Sequence, residues 1–210
     1  MKMPEIIKQI LSVVPLAVLL LSLGAAGISL GLLQANTDNG VRCFFFVSYA
    51  QAMNSSLVNY NVPTCQLSIA SATIATICLA LLTAIELISV SFQIYVKRLI
   101  ANIIQAGFFV GSILFLFITM IVVSAGWGKT CATYRNITSS GGTSNSAFNI
   151  DCTGPQYISD VGPFAPNGAD FITAAVFAGV GAVSAIGAFC YLIVKLMRRQ
   201  KDDNEATPKN

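Results

Sequence analysis

The chain has 210 residues, 55% of them hydrophobic and only 10% charged, with a net charge of +3. A soluble domain carries about 25% charged residues, so this composition excludes an ordinary soluble domain and points to an integral membrane protein. Histidine is absent, which removes Ser-His-Asp and Cys-His catalysis and His-based metal sites, and no basic stripe interleaved with aromatics supports nucleic-acid binding.

Residues 1–9 form a short, mildly basic N-terminus with Lys2 and Lys8 against Glu5. Residues 10–33 are an apolar run, too long for the core of a signal peptide and followed by no small-residue cleavage site. They are predicted to be the first transmembrane helix, with Pro15 as a candidate kink. Residues 34–66 form the first loop. Its Asp38-Asn39-Gly40 is a turn signal. Its Val41-Arg42-Cys43-Phe44-Phe45-Phe46-Val47 is rich in strand formers, which suggests a strand or buried segment on the membrane surface rather than a lipid-dipping loop.

Residues 67–96 and 99–127 are two further apolar runs, joined only by Lys97-Arg98. Each exceeds the ~20 residues a helix needs to cross ~30 Å of hydrocarbon, and helices can span because they satisfy their own backbone hydrogen bonds. Tyr95 and Trp127 are expected at opposite membrane interfaces, as belts of aromatic residues. Residues 128–170 form a larger second loop. It holds a flexible Ser139-Ser140-Gly141-Gly142-Thr143-Ser144 tract and the punctuators Gly154-Pro155, Gly162-Pro163 and Pro166-Asn167-Gly168. Residues 171–194 are the fourth helix. A basic stop, Lys195 to Lys201, opens the 195–210 tail, whose end from residue 202 reads as disordered.

Charge sets the orientation. Of the twelve Lys and Arg, nine (Lys2, Lys8, Lys97, Arg98, Lys195, Arg198, Arg199, Lys201 and Lys209) fall in the termini and the 97–98 turn, leaving Arg42, Lys129 and Arg135 for the two loops. By the positive-inside rule both termini are cytoplasmic and both loops extracellular. The N-glycosylation acceptors Asn54-Ser55-Ser56 and Asn136-Ile137-Thr138 and four of the six cysteines, Cys43, Cys65, Cys131 and Cys152, fall in those loops. An even set of loop cysteines outside the cell reads as disulfides. Short-range closure favours Cys43–Cys65 and Cys131–Cys152, although four cysteines allow three pairings. The fold expected is therefore an all-α membrane protein, a four-transmembrane-helix bundle with two disulfide-stapled extracellular loops, at the plasma membrane.

Two features bear on function. Glu86 is the one acidic or basic residue inside a predicted span, and an intramembrane charge is costly enough to be a functional candidate. A hydrogen-bonded or protonated Glu facing other helices is the plainer alternative; Thr83, Ser89, Ser91 and Gln93 lie nearby. Small residues also recur at four-residue spacing: Gly27 and Gly31, Gly107 and Gly111, and in the fourth helix Ala174, Ala178 and Ala182, Ala175 and Gly179, and Gly181 and Ala185. Such faces allow close helix approach, either within the chain's own bundle or to a partner's helix. No nucleophile–base pair, phosphate-binding loop or metal-ligand cluster is present, so no enzyme activity and no cofactor is expected.

Arg42-Cys43-Phe44-Phe45-Phe46, Pro63-Thr64-Cys65-Gln66-Leu67-Ser68, and Val123-Ser124-Ala125-Gly126-Trp127 followed by Cys131 resemble motifs of the transmembrane protein 179 family. The resemblance covers most of the chain except 145–160 and the tail. It implies four membrane helices and paired outer cysteines, and no particular activity. The function expected is that of a non-catalytic accessory subunit of a channel or receptor, with the lipid bilayer and another membrane protein as partners. The alternatives are an adhesion or membrane-organising protein acting through its outer loops and a small channel or transporter using Glu86.

Overall fold

The computed structural model describes residues 3–38, 42–43, 47–52, 55–60, 62–92, 99–140 and 167–206; side-chain surroundings are described for 13–37, 63–88, 103–132 and 167–198. Four helices dominate: α1 (Met3–Ala35), α2 (Val62–Phe92), α3 (Leu99–Ser140) and α4 (Gly168–Ala206). Each contains a stretch long and apolar enough to cross a membrane: Val13–Ala35, Pro63–Ile88, Ile103–Ala132 and Gly168–Arg198. The chain is an integral membrane protein on that ground, and the outward faces of its helices are lipid contacts. Between α1 and α2 lie two antiparallel strand pairs, β1 (Thr37–Asp38) with β2 (Arg42–Cys43), and β3 (Val47–Ala52) with β4 (Ser55–Tyr60). The all-α expectation therefore holds for the membrane part, while the first loop is built of strands. In the β3–β4 hairpin Ala52 pairs with Ser55 and Val47 with Tyr60, and β3 packs against α3.

The helices pack in a ring, α1 against α2, α2 against α3, α3 against α4 and α4 back against α1. Neighbours run antiparallel. The α2–α3 alignment is fixed at two points, Ser71 with Thr119 and Glu86 with Gln105. Two apolar clusters fill the centre. One, toward the α2–α3 turn, contains Leu19, Leu79, Leu82, Phe109 and Leu116. The other, toward the loops, contains Leu33, Val123, Trp127 and Phe171. Hydroxyls stand between them: Thr119 between Leu116 and Val123 on α3, Ser29 between Ala26 and Leu33 on α1.

Helix boundaries depart from the hydropathy boundaries, each for a local reason. α2 starts at Val62, five residues before the apolar run, because Pro63 sits in its first turn, where a missing N–H costs nothing. α3 continues thirteen residues past Trp127, through Lys129, Cys131, Arg135 and Asn136 to Ser140. Polarity announces departure from lipid and does not end a helix; Gly141-Gly142 is the first strong breaker in the sequence. Part of the segment expected as a flexible tract, Ser139-Ser140, is thus helical. α4 extends to Ala206 through residues expected to be disordered. There Arg198 and Asp202, Arg199 and Asp203, and Lys201 and Glu205 stand four apart, a spacing that supports a helix outside lipid. α1 begins at Met3, and Pro15 lies buried inside one continuous helix. The end of the predicted second helix and the Lys97-Arg98 turn lie outside the described residues.

Trp127 faces into the bundle. It is 6% exposed and stacks on Phe171, with ring centroids 5.1 Å apart and planes 25° apart. The indole joins α3 to α4. Tyr95 lies outside the described residues.

Candidate functional site

The interior polar residues of the bundle carry whatever chemistry the membrane part has. Glu86 lies near the turn end of α2, half-buried, six residues before the helix ends at Phe92. Its Oε1 accepts a hydrogen bond from Gln105 Nε2 of α3 at 2.8 Å. The amide satisfies one of its oxygens across the helix pair. Thr83, one turn away, turns its hydroxyl back onto the Leu79 carbonyl of its own helix at 2.7 Å and makes no site with Glu86. The side chains of Ser89, Ser91 and Gln93 lie outside the described residues.

Deeper in the bundle, polar side chains recur every seven residues on two helices. On α1 they are Ser22 and Ser29, with Asn36 in the turn just past its end; on α3 they are Gln105, Ser112 and Thr119. Seven residues are close to two helical turns, so each set lies on one stripe, and five of the six are buried. The Ser22 hydroxyl donates to the Gly181 carbonyl of α4 at 2.8 Å. Ser71 and Thr119 share a hydrogen bond at 2.8 Å between α2 and α3, while Ser71 also lies 2.9 Å from the Ser68 carbonyl and Thr119 2.9 Å from the Phe115 carbonyl. Two hydroxyl protons thus face three acceptor positions, so the pair can bond in either direction. Ser112 donates to Phe109 O at 2.9 Å. Among the described residues, Ser29 Oγ is buried without a partner.

At the loop end a second polar group closes α1 onto α4. Asn36, 6% exposed, donates from Nδ2 to Leu32 O and to Asp170 Oδ2, both at 3.0 Å. Its Oδ1 accepts from the Asn167 backbone N–H at 3.3 Å. One amide therefore caps the C-terminus of α1 and holds the residue before α4. Asn167 caps α4 in turn: its Oδ1 accepts from Ala169 N at 3.2 Å, and its own carbonyl accepts from Asp170 N at 3.1 Å. Asp170 adds a negative charge in the first turn of α4, where the helix dipole favours it.

The small-residue faces divide. Ala174, Ala178 and Ala182 are fully buried, Ala175 is 8% exposed, and Ala185 and Gly181 are also buried. This face of α4 points into the protein's own bundle, against α1 and α3. At Gly181 an added Cβ would stand 3.4 Å from the Leu116 side chain and the Ser22 carbonyl; at Gly179 it would stand 3.1 Å from the Met120 sulfur. The other glycines do the opposite. Gly27, Gly31 and Gly107 are exposed and Gly111 half-exposed, and a Cβ at any of them would meet nothing within 4 Å. They are not used for packing within the bundle.

Cys65 and Cys131 are disulfide-bonded, whereas Cys78 and Cys190, inside the spans, are free thiols. The side chain of Cys43 and all of Cys152 lie outside the described residues, as do Asn54 and the side chain of Asn136. The backbone of Asn136 is helical, on the projecting end of α3. Among the described residues, no three His, Cys, Asp or Glu converge where they could hold a metal ion.

Sequence reading singled out Glu86 but missed its partner Gln105, and it missed the hydroxyl stripes. Their signal was the seven-residue spacing, hidden because Ser and Thr are common in membrane helices. The chain matches no family model, no curated protein and no solved structure.

Proposed function

We propose that this protein is a non-catalytic accessory subunit of a channel or receptor complex at the plasma membrane, with both termini in the cytoplasm and both loops outside. The observation that carries the reading is the pair Gly27 and Gly31. In a membrane there is no hydrophobic force to bring helices together, so contact depends on how near two backbones can come. Glycine weakens a helix interior by about 1 kcal/mol relative to alanine. Here two glycines, with Gly24 a turn away, leave a shallow, lipid-facing trough on α1 that the bundle does not fill. A partner's helix laid there would gain dispersion contacts that lipid chains supply less well. The α4 face is spent on internal packing and is not part of this reading.

In the same reading the outer lobe is stapled by Cys43–Cys65 and Cys131–Cys152 and glycosylated at Asn54 and Asn136. The bonded state of Cys65 and Cys131 and the approach of β2 to α2 support the first pairing. The resemblance to the transmembrane protein 179 family adds the same topology. The test is Gly27→Leu with Gly31→Leu. The variant should fold and reach the surface, because both sites are open, but lose co-purifying membrane proteins under mild detergent. Unchanged recovery of every partner would falsify the accessory-subunit reading through α1.

A second reading, adhesion or membrane organisation through the outer loops, draws on the β3–β4 hairpin seated against α3. Deleting that hairpin should then abolish cell–cell or lateral clustering while leaving detergent-stable partners in place.

A further inference from the structure

We propose that the crevice between α3 and α4 near the loop end is a binding site for one acyl chain of a membrane phospholipid. The crevice has a volume of about 260 Å³. Its floor is the stacked Trp127–Phe171 pair, and its rims are Ser124 and Gly128 on α3 and Ile172 and Val176 on α4, all four exposed. The aromatic pair explains why it exists. Two rings between the helices hold the backbones apart, while the small residues Ser124 and Gly128 leave the gap unfilled at its mouth. One to two turns deeper the helices close again, where the Met120 sulfur lies over Gly179. The crevice is therefore a short slot with an inner stop.

Both walls belong to membrane spans, Ile103–Ala132 and Gly168–Arg198. The slot continues into the lipid-facing surface, with Val110 and Ile121 exposed on α3 and Val180 and Val183 on α4. Water is a poor occupant: an apolar cavity of about 150 Å³ in a protein core stays dry and accepts an apolar guest instead. This slot is larger, and among its rim side chains only Ser124 offers a hydroxyl. Hydrocarbon is the solvent at its mouth. A chain entering it exchanges lipid neighbours for the rim side chains of Ile172 and Val176 and the exposed edge of Trp127, and loses no hydrogen bond.

The test uses the full chain, purified and reconstituted in nanodiscs. One arm contains phosphatidylcholine bearing a diazirine midway along one chain; a second contains a diazirine sterol. Photolabelling by the phospholipid should concentrate at Ser124 and Val176, severalfold above Ile28, an exposed residue of α1 a comparable distance from the loop end. Gly128→Leu should return it to the Ile28 level. That variant should fold, because a Cβ at Gly128 meets nothing within 4 Å; a thermal melt matching the parent protein checks this. Gly187→Leu, equally open, should leave the labelling unchanged. Equal labelling at Ile28, enrichment that survives Gly128→Leu, or preferential labelling by the sterol overturns the proposal. So does a photo-crosslinker at position 124 that captures a protein in native membranes instead of a phospholipid.

Discussion

The Ser22 hydroxyl reaches the Gly181 carbonyl at 2.8 Å, and this approach is possible because residue 181 has no side chain. An added Cβ would face the Ser22 carbonyl and the Leu116 side chain at 3.4 Å and Ala25 Cβ at 3.6 Å. Gly181→Leu must therefore push α1 away from α4. Overpacking of this kind costs about 1–3 kcal/mol, sometimes more. Gly27→Leu, facing outward, should leave the stability unchanged. Thermal melts in the same detergent separate the two, and equal midpoints would contradict the placement of α4 against α1.

The same geometry governs Ala178 and Ala182, both fully buried. Replacing both by Leu should reduce the yield of folded protein before any partner is considered. The readout is monodispersity on size-exclusion chromatography. A monodisperse double variant with a normal melt would mean that this face is not the one packed in the bundle.

Ser29 and Ser22 make an opposed pair of predictions on one stripe. Ser22→Ala removes a donor that has a partner and should cost about 0.5–1.5 kcal/mol. Ser29→Ala removes a buried hydroxyl that has none, so it should be neutral or stabilising, since an unsatisfied buried group costs about 1–3 kcal/mol. Denaturation in mixed micelles measures both, and a Ser29→Ala variant less stable than Ser22→Ala would reverse the assignment.

Across α2 and α3, a double-mutant cycle on Ser71 and Thr119 should give a coupling of about 0.6 kcal/mol and no more than about 1.7, the range found for hydrogen bonds between membrane helices. The modest size follows because each hydroxyl has a carbonyl of its own helix to fall back on. A zero coupling would place the two hydroxyls out of reach of each other.

Glu86→Gln should keep the contact with Gln105, because an amide oxygen accepts as a carboxylate oxygen does, and should leave the fold intact. If Glu86 carries charge across the membrane, this variant should lose ion flux in reconstituted vesicles at unchanged stability. Equal flux in both proteins, or none in either, removes the conduction reading.

What could be read in advance followed from what lipid demands of a chain. Four apolar runs, with Glu86 the one charged residue among them, were enough to find four spans, because hydrocarbon tolerates little else. The places where the helices end were harder. α3 crosses Lys129 and Arg135 without a break, since a helix leaving the membrane needs no signal beyond the absence of a breaker. α4 runs past its basic stop through a sequence with opposite charges four residues apart, a spacing that suits a helix. The direction of each small-residue face was not legible either. Spacing puts Gly27 and Gly31 on one stripe just as it does Ala178 and Ala182, and only the rotation of each helix, set by contacts distant in sequence such as Ser22 with Gly181, decides which stripe meets protein and which meets lipid. The facing of Trp127 was hidden for the same reason: an indole near a span's end suits an interface, and Phe171 on α4 turns it inward with a ring to stack on.

α3 has one further property that follows from its length. At ~1.5 Å per residue, its 42 residues make a rod of about 63 Å, roughly twice the hydrocarbon thickness. Its last thirteen residues, 128–140, follow the apolar run that ends at Trp127. β3 leans on this same helix. An unbroken rod converts a change of angle into a sideways sweep at its tip. Thinning or thickening of the bilayer, which membrane helices accommodate by tilting, would therefore swing the hairpin over the membrane surface. The hairpin's position is thereby geared to the thickness of the membrane that α3 crosses.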